Sequence, residues 1–180
     1  MIWSFQASGQ RRHFYAIIVG TWLLVTIYAI LHDQYLVRIA PEHFTVYHEP
    51  LWGIKNPPLL AAAYAFCAAT IPGFALGCVC AFIAHAGSHP PLSLRQVFRG
   101  VICVIILTEI VSAASGVYAW TTGGNMLYPN NDFFYPAKTL PLVTTQTIQL
   151  TCYLTGAVFS SILFVLLIRT RLQSAKMNIV

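Results

Sequence analysis

Histidines and acids are concentrated in residues 31–50, LHDQYLVRIAPEHFTVYHEP. The stretch contains His32, Asp33, Glu42, His43, His48 and Glu49. Imidazole and carboxylate groups are the usual metal ligands and the usual general acids and bases of proteins. The stretch is therefore a candidate metal site or acid–base centre, and the competing interpretation is a hydrated loop.

The spacing within this stretch argues against a metal centre. His43 and His48 are five residues apart, which puts them on opposite faces of a strand and about 140° apart on a helix. No H-E-x-x-H pair, C-x-x-C pair, G-x-S-x-G turn or glycine-rich phosphate loop is present. We therefore predict no metal and no other cofactor, and we interpret His32 and Gln34 as caps of the last helical carbonyls of the preceding apolar run.

A single acid, Glu109, lies inside an apolar run, VICVIILTEIVSAASGVYAW. On a helix it shares a face with Ser112, Ala113 and Gly116, which is the side that suits close packing. A charged residue at this depth costs about 2.5–3.5 kcal/mol on insertion scales. We expect Glu109 to be neutral and hydrogen-bonded within the protein, either as a proton relay or ligand contact or as a packing hydrogen bond.

Partners for Glu109 are expected from the polar start of the last apolar run, TTQTIQLT. This segment offers Gln146, Gln149 and Thr151.

The elements that must position these residues follow from composition. The 180 residues are 57% hydrophobic and 8% charged, with mean hydropathy +0.68, whereas soluble domains carry about 25% charged residues. The sequence predicts an all-α integral membrane protein, a four-transmembrane-helix bundle forming a single membrane domain over residues 1–180. The predicted spans, each near the roughly 20 residues needed to cross a bilayer, are 14–32, 59–85, 101–120 and 142–168.

Basic residues indicate the orientation of these spans, because Lys and Arg accumulate on the cytoplasmic side. Seven lie on one side of the predicted bundle and three on the other. The larger group is Arg11, Arg12, Arg95, Arg99, Arg169, Arg171 and Lys176, and the smaller is Arg38, Lys55 and Lys138. We therefore predict that both termini and the 86–100 loop are cytoplasmic. Residues 33–58 and 121–141 are then outer loops, the first of them partly ordered.

Small residues recur at every fourth position of three spans, a pattern that lets helices approach closely in lipid. The predicted packing positions include Ala61, Ala65, Ala69, Gly73, Gly77 and Ala81 in the second span, Thr108, Ser112 and Gly116 in the third, and Cys152, Gly156 and Ser160 in the fourth. The five cysteines all fall in apolar runs and are interpreted as small packing residues.

The segments YAILHDQ, PEHFT, NPPLLAAAYAFCAATIPGFALG and CYLTGAVFSSILFVLLIRTR together resemble an uncharacterised family of small four-span bacterial inner-membrane proteins. The family is marked by an H-(D/N)-Q motif followed by P-E-(Y/H)-F-T. The resemblance covers about nine-tenths of the chain and implies a bacterial cytoplasmic-membrane protein, but no reaction. It departs at His43, where the family has tyrosine, and at Gln149, where many relatives have histidine. The residues that match the family pattern are His32, Glu42, Phe44, Thr45 and His48, and we favour these as functional residues if the outer loop has a role. Further candidates are Asp33, Gln34 and Gln149.

Three functions stay open at this point. The first is a structural, accessory or sensor subunit, with the lipid bilayer and either a membrane-protein partner or a second copy as its contacts, and no nucleic acid. The second is a proton-coupled transport module that uses Glu109. The third is a membrane enzyme with an outer histidine–acid cluster, which the absence of a known catalytic motif disfavours.

Overall fold

The computed structural model describes residues 8–87, 89–124 and 139–177, and the regular elements within them are all helices. They are α1 (Ser8–Ile39), α2 (Pro41–Thr45), α3 (Pro57–His85), α4 (Leu94–Thr122) and α5 (Leu140–Met177). Four of them are long and apolar enough to cross a membrane. The prediction of an all-α chain with four long apolar helices is therefore confirmed. Most of the predicted second outer loop, 121–141, lies outside the described residues.

Local sequence signals explain where the helices begin and end. Pro57 starts α3, and the Asn56 side chain accepts a hydrogen bond from the Leu59 amide at 3.2 Å, which satisfies a free N–H of the first turn. Ser93 and Gln96 form a capping box at the start of α4. Gly123 ends that helix in a left-handed conformation, with φ of 69°, which glycine adopts without steric cost.

The first helix continues well beyond the predicted end of its span at residue 32, through to Ile39. Pro41 follows at the start of α2, and proline fixes φ and lacks the amide needed to extend a helix. His32 is thus inside α1, and the interpretation of His32 as a cap of the last carbonyls is wrong. Arg38, two turns further on, donates to the carbonyl of Gln34.

The long helices form two closely packed antiparallel pairs, α1 with α3 and α4 with α5. In the first pair the small residues predicted for α3 are all buried, and a Cβ on Gly77 would lie 2.7 Å from the carbonyl oxygen of Ile18. In the second pair a Cβ on Gly116 would lie 2.5 Å from the side chain of Ile148. Glycine is required at Gly77 because the backbone of the neighbouring helix occupies the space of a side chain, whereas at Gly116 a Cβ would displace the end of the Ile148 side chain.

The two pairs meet along α1 and α4, which run parallel: Gly20 of α1 lies against Phe98 near the start of α4, and His32 contacts Glu109 further along both helices. The outward surface is apolar, as lipid requires. On α1, for example, every fourth residue is exposed and hydrophobic over four turns: Tyr15, Val19, Leu23, Ile27 and Leu31. We call the end of the bundle that carries α2 the α2 end, and the other the α3–α4 end.

Candidate functional site

Five polar side chains from three helices meet between the two helix pairs, and we call them the polar cluster. They are Tyr28, His32 and Tyr35 of α1, Glu109 of α4 and Cys152 of α5. Spacings of four and three residues place the three α1 side chains on one helix face. The cluster is assembled only because α1 remains helical past residue 32 and packs beside α4.

Glu109 is the centre of the cluster. Its Oε2 lies 2.8 Å from Nδ1 of His32, and it accepts a hydrogen bond from the Tyr28 hydroxyl at 3.0 Å. The same hydroxyl is 3.3 Å from Sγ of Cys152. Either atom can be the donor in that contact. The Tyr35 hydroxyl is 3.2 Å from Nδ1 of His32.

Burial differs sharply between the two partners of the central contact. The His32 side chain is 3% exposed, whereas that of Glu109 is 35% exposed. Glu109 thus lies at the edge of the packing face and not in its middle, while Ser112 on the same helix is fully buried. Nε2 of His32 is buried and has no hydrogen-bond partner among the described residues, so one imidazole nitrogen is engaged and the other is not.

The α5 residues expected to meet Glu109 do not do so. Gln149 donates to the Tyr153 hydroxyl at 2.7 Å, and Gln146 and Thr151 are buried without a described hydrogen bond to α4. Glu109 finds its partners on α1 instead. The hydrogen bond expected for Glu109 exists, and its neutral state stays a prediction, because the positions of the heavy atoms fit either location of the proton.

The loop candidates form a separate aromatic layer at the α2 end. Phe44 is 2% exposed and packs with Leu36 and Leu60. The rings of His43 and His48 meet edge to face at 4.6 Å, and His48 also contacts Tyr64 at 5.0 Å. The two histidines come together because α2 ends at Thr45 and the chain then turns, so the spacing argument from a regular strand or helix did not apply.

His43 is neutral in this layer. Burial, and secondarily the neighbouring His48, lowers the pKa of His43 to about 3, because an apolar environment disfavours the charged imidazolium. His48 donates from Nδ1 to the His43 carbonyl at 2.6 Å. The pair therefore contributes ring packing and one hydrogen bond at the α2 end.

The other sequence candidates are placed individually. Gln34 donates to the Pro58 carbonyl at 2.9 Å and so ties α1 to the start of α3. Thr45 donates to the Pro41 carbonyl within α2. Asp33 is buried and interacts electrostatically with His32. In the described part of the chain, no hydrogen bond joins Glu42 or His48 to His32, so the loop candidates and the polar cluster are distinct.

No group of three or more His, Cys, Asp or Glu residues in the described ranges is arranged to hold a metal ion. The cluster instead contains groups that exchange protons: an imidazole, a carboxyl group, two phenols and a thiol.

Sequence reasoning missed Tyr28, Tyr35 and Cys152 as members of the cluster. A signal for the tyrosines was present, since positions 28, 32 and 35 lie on one face of any helix that includes all three. The signal was lost because the first span was taken to end at residue 32. Nothing in the sequence pairs Cys152 with Tyr28, which is 124 positions away.

The fold and the long apolar helices indicate a multi-pass helical membrane protein. Comparison of the chain with protein-family models, curated proteins and solved structures finds no match.

Proposed function

We propose that this chain is a proton-responsive module of the bacterial cytoplasmic membrane, in which the His32–Glu109 contact takes up and releases a proton and thereby adjusts the packing of the two helix pairs. The observation that carries the proposal is the 2.8 Å contact between His32 Nδ1 and Glu109 Oε2, which joins the pairs inside the apolar bundle. An acid within a membrane helix is a functional-site hypothesis in its own right.

The chemistry follows from the hydrogen-bond geometry. With one proton on the imidazole, His32 donates from Nδ1 to the Glu109 carboxylate, and Tyr28 donates to the same oxygen. This state has a net charge of −1. A second proton on Nε2, which has no described partner, converts the contact into an imidazolium–carboxylate pair of net charge zero. A net charge is costly in an apolar medium, so proton uptake stabilises the joined helices.

The location of the contact explains how a proton would act at long range. α1 packs along α3, and α4 packs along α5, so each pair can move as a unit. The polar cluster ties one pair to the other through Tyr28, His32 and Glu109. A change of one charge at this position alters the attraction between the pairs and leaves the packing within each pair intact. A change of packing that follows proton uptake would suit a sensor subunit, and it would also suit the coupling step of a proton-driven carrier.

The cellular placement is part of the proposal. The excess of Lys and Arg on one side of the spans supports cytoplasmic termini, and the resemblance to the four-span bacterial family supports the inner membrane. The α2 end, with its aromatic layer of His43, Phe44 and His48, then faces outward and covers the cluster from that side.

The test measures the distance between the pairs as a function of pH. Spin labels are attached to cysteines introduced at Leu31 on α1 and Val117 on α4, both of which are exposed, in a chain whose native cysteines are replaced by serine. We expect the label distance in lipid nanodiscs to change as pH is varied, and the carboxylate infrared bands of the same sample to shift in frequency with it as the ion pair forms. Glu109→Gln should accumulate in membranes and lose both responses.

The matched control is Glu49→Gln, because Glu49 is exposed and lies outside the long helices. This variant should keep both responses. A pH-dependent distance that persists in Glu109→Gln, or Glu109 carboxylate bands that do not shift with pH, would overturn the proposal. Failure of Glu109→Gln to accumulate would instead assign the acid a purely structural role.

A second candidate, an accessory subunit that docks on a partner, is favoured by the exposure of Glu109. About a third of this side chain, 35%, is open on an apolar surface, where a polar group of another helix would be a favourable neighbour. A photo-crosslinking residue at Ala113, exposed beside Glu109, should then capture a partner in native membranes. The same residue at Ile71, 79% exposed on α3, is the control, and recovery of the lone chain from both would count against docking.

A further inference from the structure

Arg171 is a buried cation at the opposite end of the bundle from α2. It is 5% exposed and donates to three backbone carbonyls at the end of α3 and just after it: Ile83 at 2.7 Å, His89 at 2.9 Å and Pro90 at 3.3 Å. A guanidinium has five N–H donors, so two have no described acceptor. The carbonyls satisfy hydrogen bonds but leave the positive charge uncompensated.

Among the described residues, no carboxylate forms an ion pair with this charge. The chain has five acids, Asp33, Glu42, Glu49, Glu109 and Asp132. The first three belong to the α2 end, and Asp132 lies outside the described residues. Glu109 is fifteen residues along α4 from its start at Leu94, about 22 Å at the rise of a helix. Within the described part of the chain the charge of Arg171 is therefore uncompensated, and another molecule can supply the counter-charge.

A cavity of about 360 Å³ lies beside the guanidinium. Apart from Arg171 and His89, its walls are Phe82, Ile83, Ala86, Ile168 and Leu172. Phe82, Ile168 and Leu172 are each about half exposed on the outer surface of the helices, so the cavity is continuous with the surface that lipid chains cover. The site thus combines a desolvated cation with an apolar path, the two chemistries of an anionic lipid.

We propose that this cavity binds the phosphate group of an anionic phospholipid, with the upper part of one acyl chain lying along Phe82, Ile168 and Leu172. Phosphate is matched to guanidinium because its oxygens accept two parallel N–H bonds. The bound lipid neutralises Arg171 and fixes the connection between α3 and α4. The site is remote from Glu109 and does not depend on its titration.

Native mass spectrometry of the purified full chain tests the proposal, with phosphatidylglycerol, phosphatidylcholine and inorganic phosphate added separately. We expect phosphatidylglycerol to bind one per chain in preference to the other two. Arg171→Gln should weaken it by about tenfold or more, the loss expected for a charge-assisted hydrogen bond. Arg169→Gln is the matched control, since it removes the same charge two residues away from an exposed position, and binding should be retained.

Ala86→Phe provides a second variant that leaves Arg171 in place, for the case that Arg171→Gln does not fold. The larger ring fills the cavity and should abolish phosphatidylglycerol binding. Equal binding of phosphatidylcholine, displacement of the lipid by inorganic phosphate, equal loss in Arg169→Gln, or full binding in Ala86→Phe would each overturn the proposal. Equal loss in Arg169→Gln would mean that the lipid is attracted by general surface charge. Full binding in Ala86→Phe would mean that the lipid binds at another site.

Discussion

At the residue scale, His32 and Arg171 show how this chain handles polar groups that are expensive in a membrane. Each is buried where helices meet, and each is held by groups distant in sequence: His32 by Glu109, and Arg171 by carbonyls of Ile83, His89 and Pro90. The difference lies in the counter-charge: among the described residues, His32 has an acidic partner and Arg171 has none. This difference is the reason that we propose proton exchange at His32 and anion binding at Arg171.

Tyr28→Phe tests the hydrogen-bonded chain through Glu109. The change removes the hydroxyl that donates at 3.0 Å to Glu109 and contacts Cys152, and it keeps the ring. We expect a loss of about 1 kcal/mol in the free energy of unfolding, the size of one such bond, measured by thermal unfolding in nanodiscs. Tyr15→Phe, at a position 63% exposed, should unfold like the parent chain, and equal stability of both variants would contradict the role of Tyr28.

His43 predicts a pH dependence of stability. The pKa of His43 is about 3 in the folded chain and about 6.5 in an unfolded one. Between these values only the unfolded chain binds the proton, so the free energy of unfolding falls as pH is lowered from about 6.5 toward 3 and is unaffected by His43 above that window. Denaturation curves at several pH values measure this effect. The free energy of unfolding of His43→Gln should depend less on pH than that of the parent chain.

The control for this measurement is Phe44→Leu, the next residue in the same buried layer. It introduces no titratable group, so it should lower stability by a similar amount at every pH and keep the slope of the parent. If the free energy of unfolding of His43→Gln depended on pH as steeply as that of the parent chain, the pH dependence would arise from other titratable groups.

At the element scale, the close approach of α1 and α3 depends on the small residues of α3. Gly73 and Gly77 lie against the Val25 side chain and the Ile18 backbone, and backbone atoms cannot rotate away as a side chain can. The stripe on α5 is different in kind: Gly156 and Ser160 are only partly buried. The same sequence pattern thus marks a tight helix contact in one case and a loose one in the other.

Gly77→Ala should separate α1 from α3, because the added Cβ would lie 2.7 Å from the Ile18 oxygen. We expect a loss of about 1–3 kcal/mol in stability, as for other overpacked sites, measured by unfolding in nanodiscs. Gly156→Ala is the matched control, since the nearest atom to its Cβ is 4.0 Å away, and it should be tolerated. An equal effect of both substitutions would mean that helix–helix contact is not the cause.

At the scale of the whole molecule, two helix pairs are joined by a small number of specific contacts. The α2 end is covered by an aromatic layer, and the α3–α4 end by a connection that Arg171 holds through its carbonyls. Among the described residues, Lys and Arg are most numerous at the α3–α4 end. This distribution predicts the orientation of the protein in the membrane.

Cysteine labelling tests that orientation. In a chain without its native cysteines, Val46→Cys at the α2 end and His89→Cys at the α3–α4 end are both exposed positions. A membrane-impermeant maleimide should label Val46→Cys in intact bacterial cells and His89→Cys only after the membrane is opened. The reverse pattern would show that both termini face outward, and labelling of both in intact cells would require a repeat with sealed vesicles of known orientation.

The amino-acid sequence by itself determined the class of the protein. Four apolar runs and few charges are local properties, and lipid permits only structures that satisfy their own backbone hydrogen bonds, so long helices follow directly. The small residues of α3 were identified in the same way, because every fourth position falls on one face.

Only the tertiary structure decided which polar groups meet. The sequence singled out Glu109 and His32 separately but could not join them, because 77 positions separate them and helix packing sets which faces touch. It placed the end of the first span at residue 32, and this concealed the helix face on which Tyr28, His32 and Tyr35 lie together. From the sequence, Arg171 was one of the basic residues that indicate orientation. Its burial depends on the packing of α5 against the end of α3, because burial is set by neighbouring residues and not by the identity of the residue.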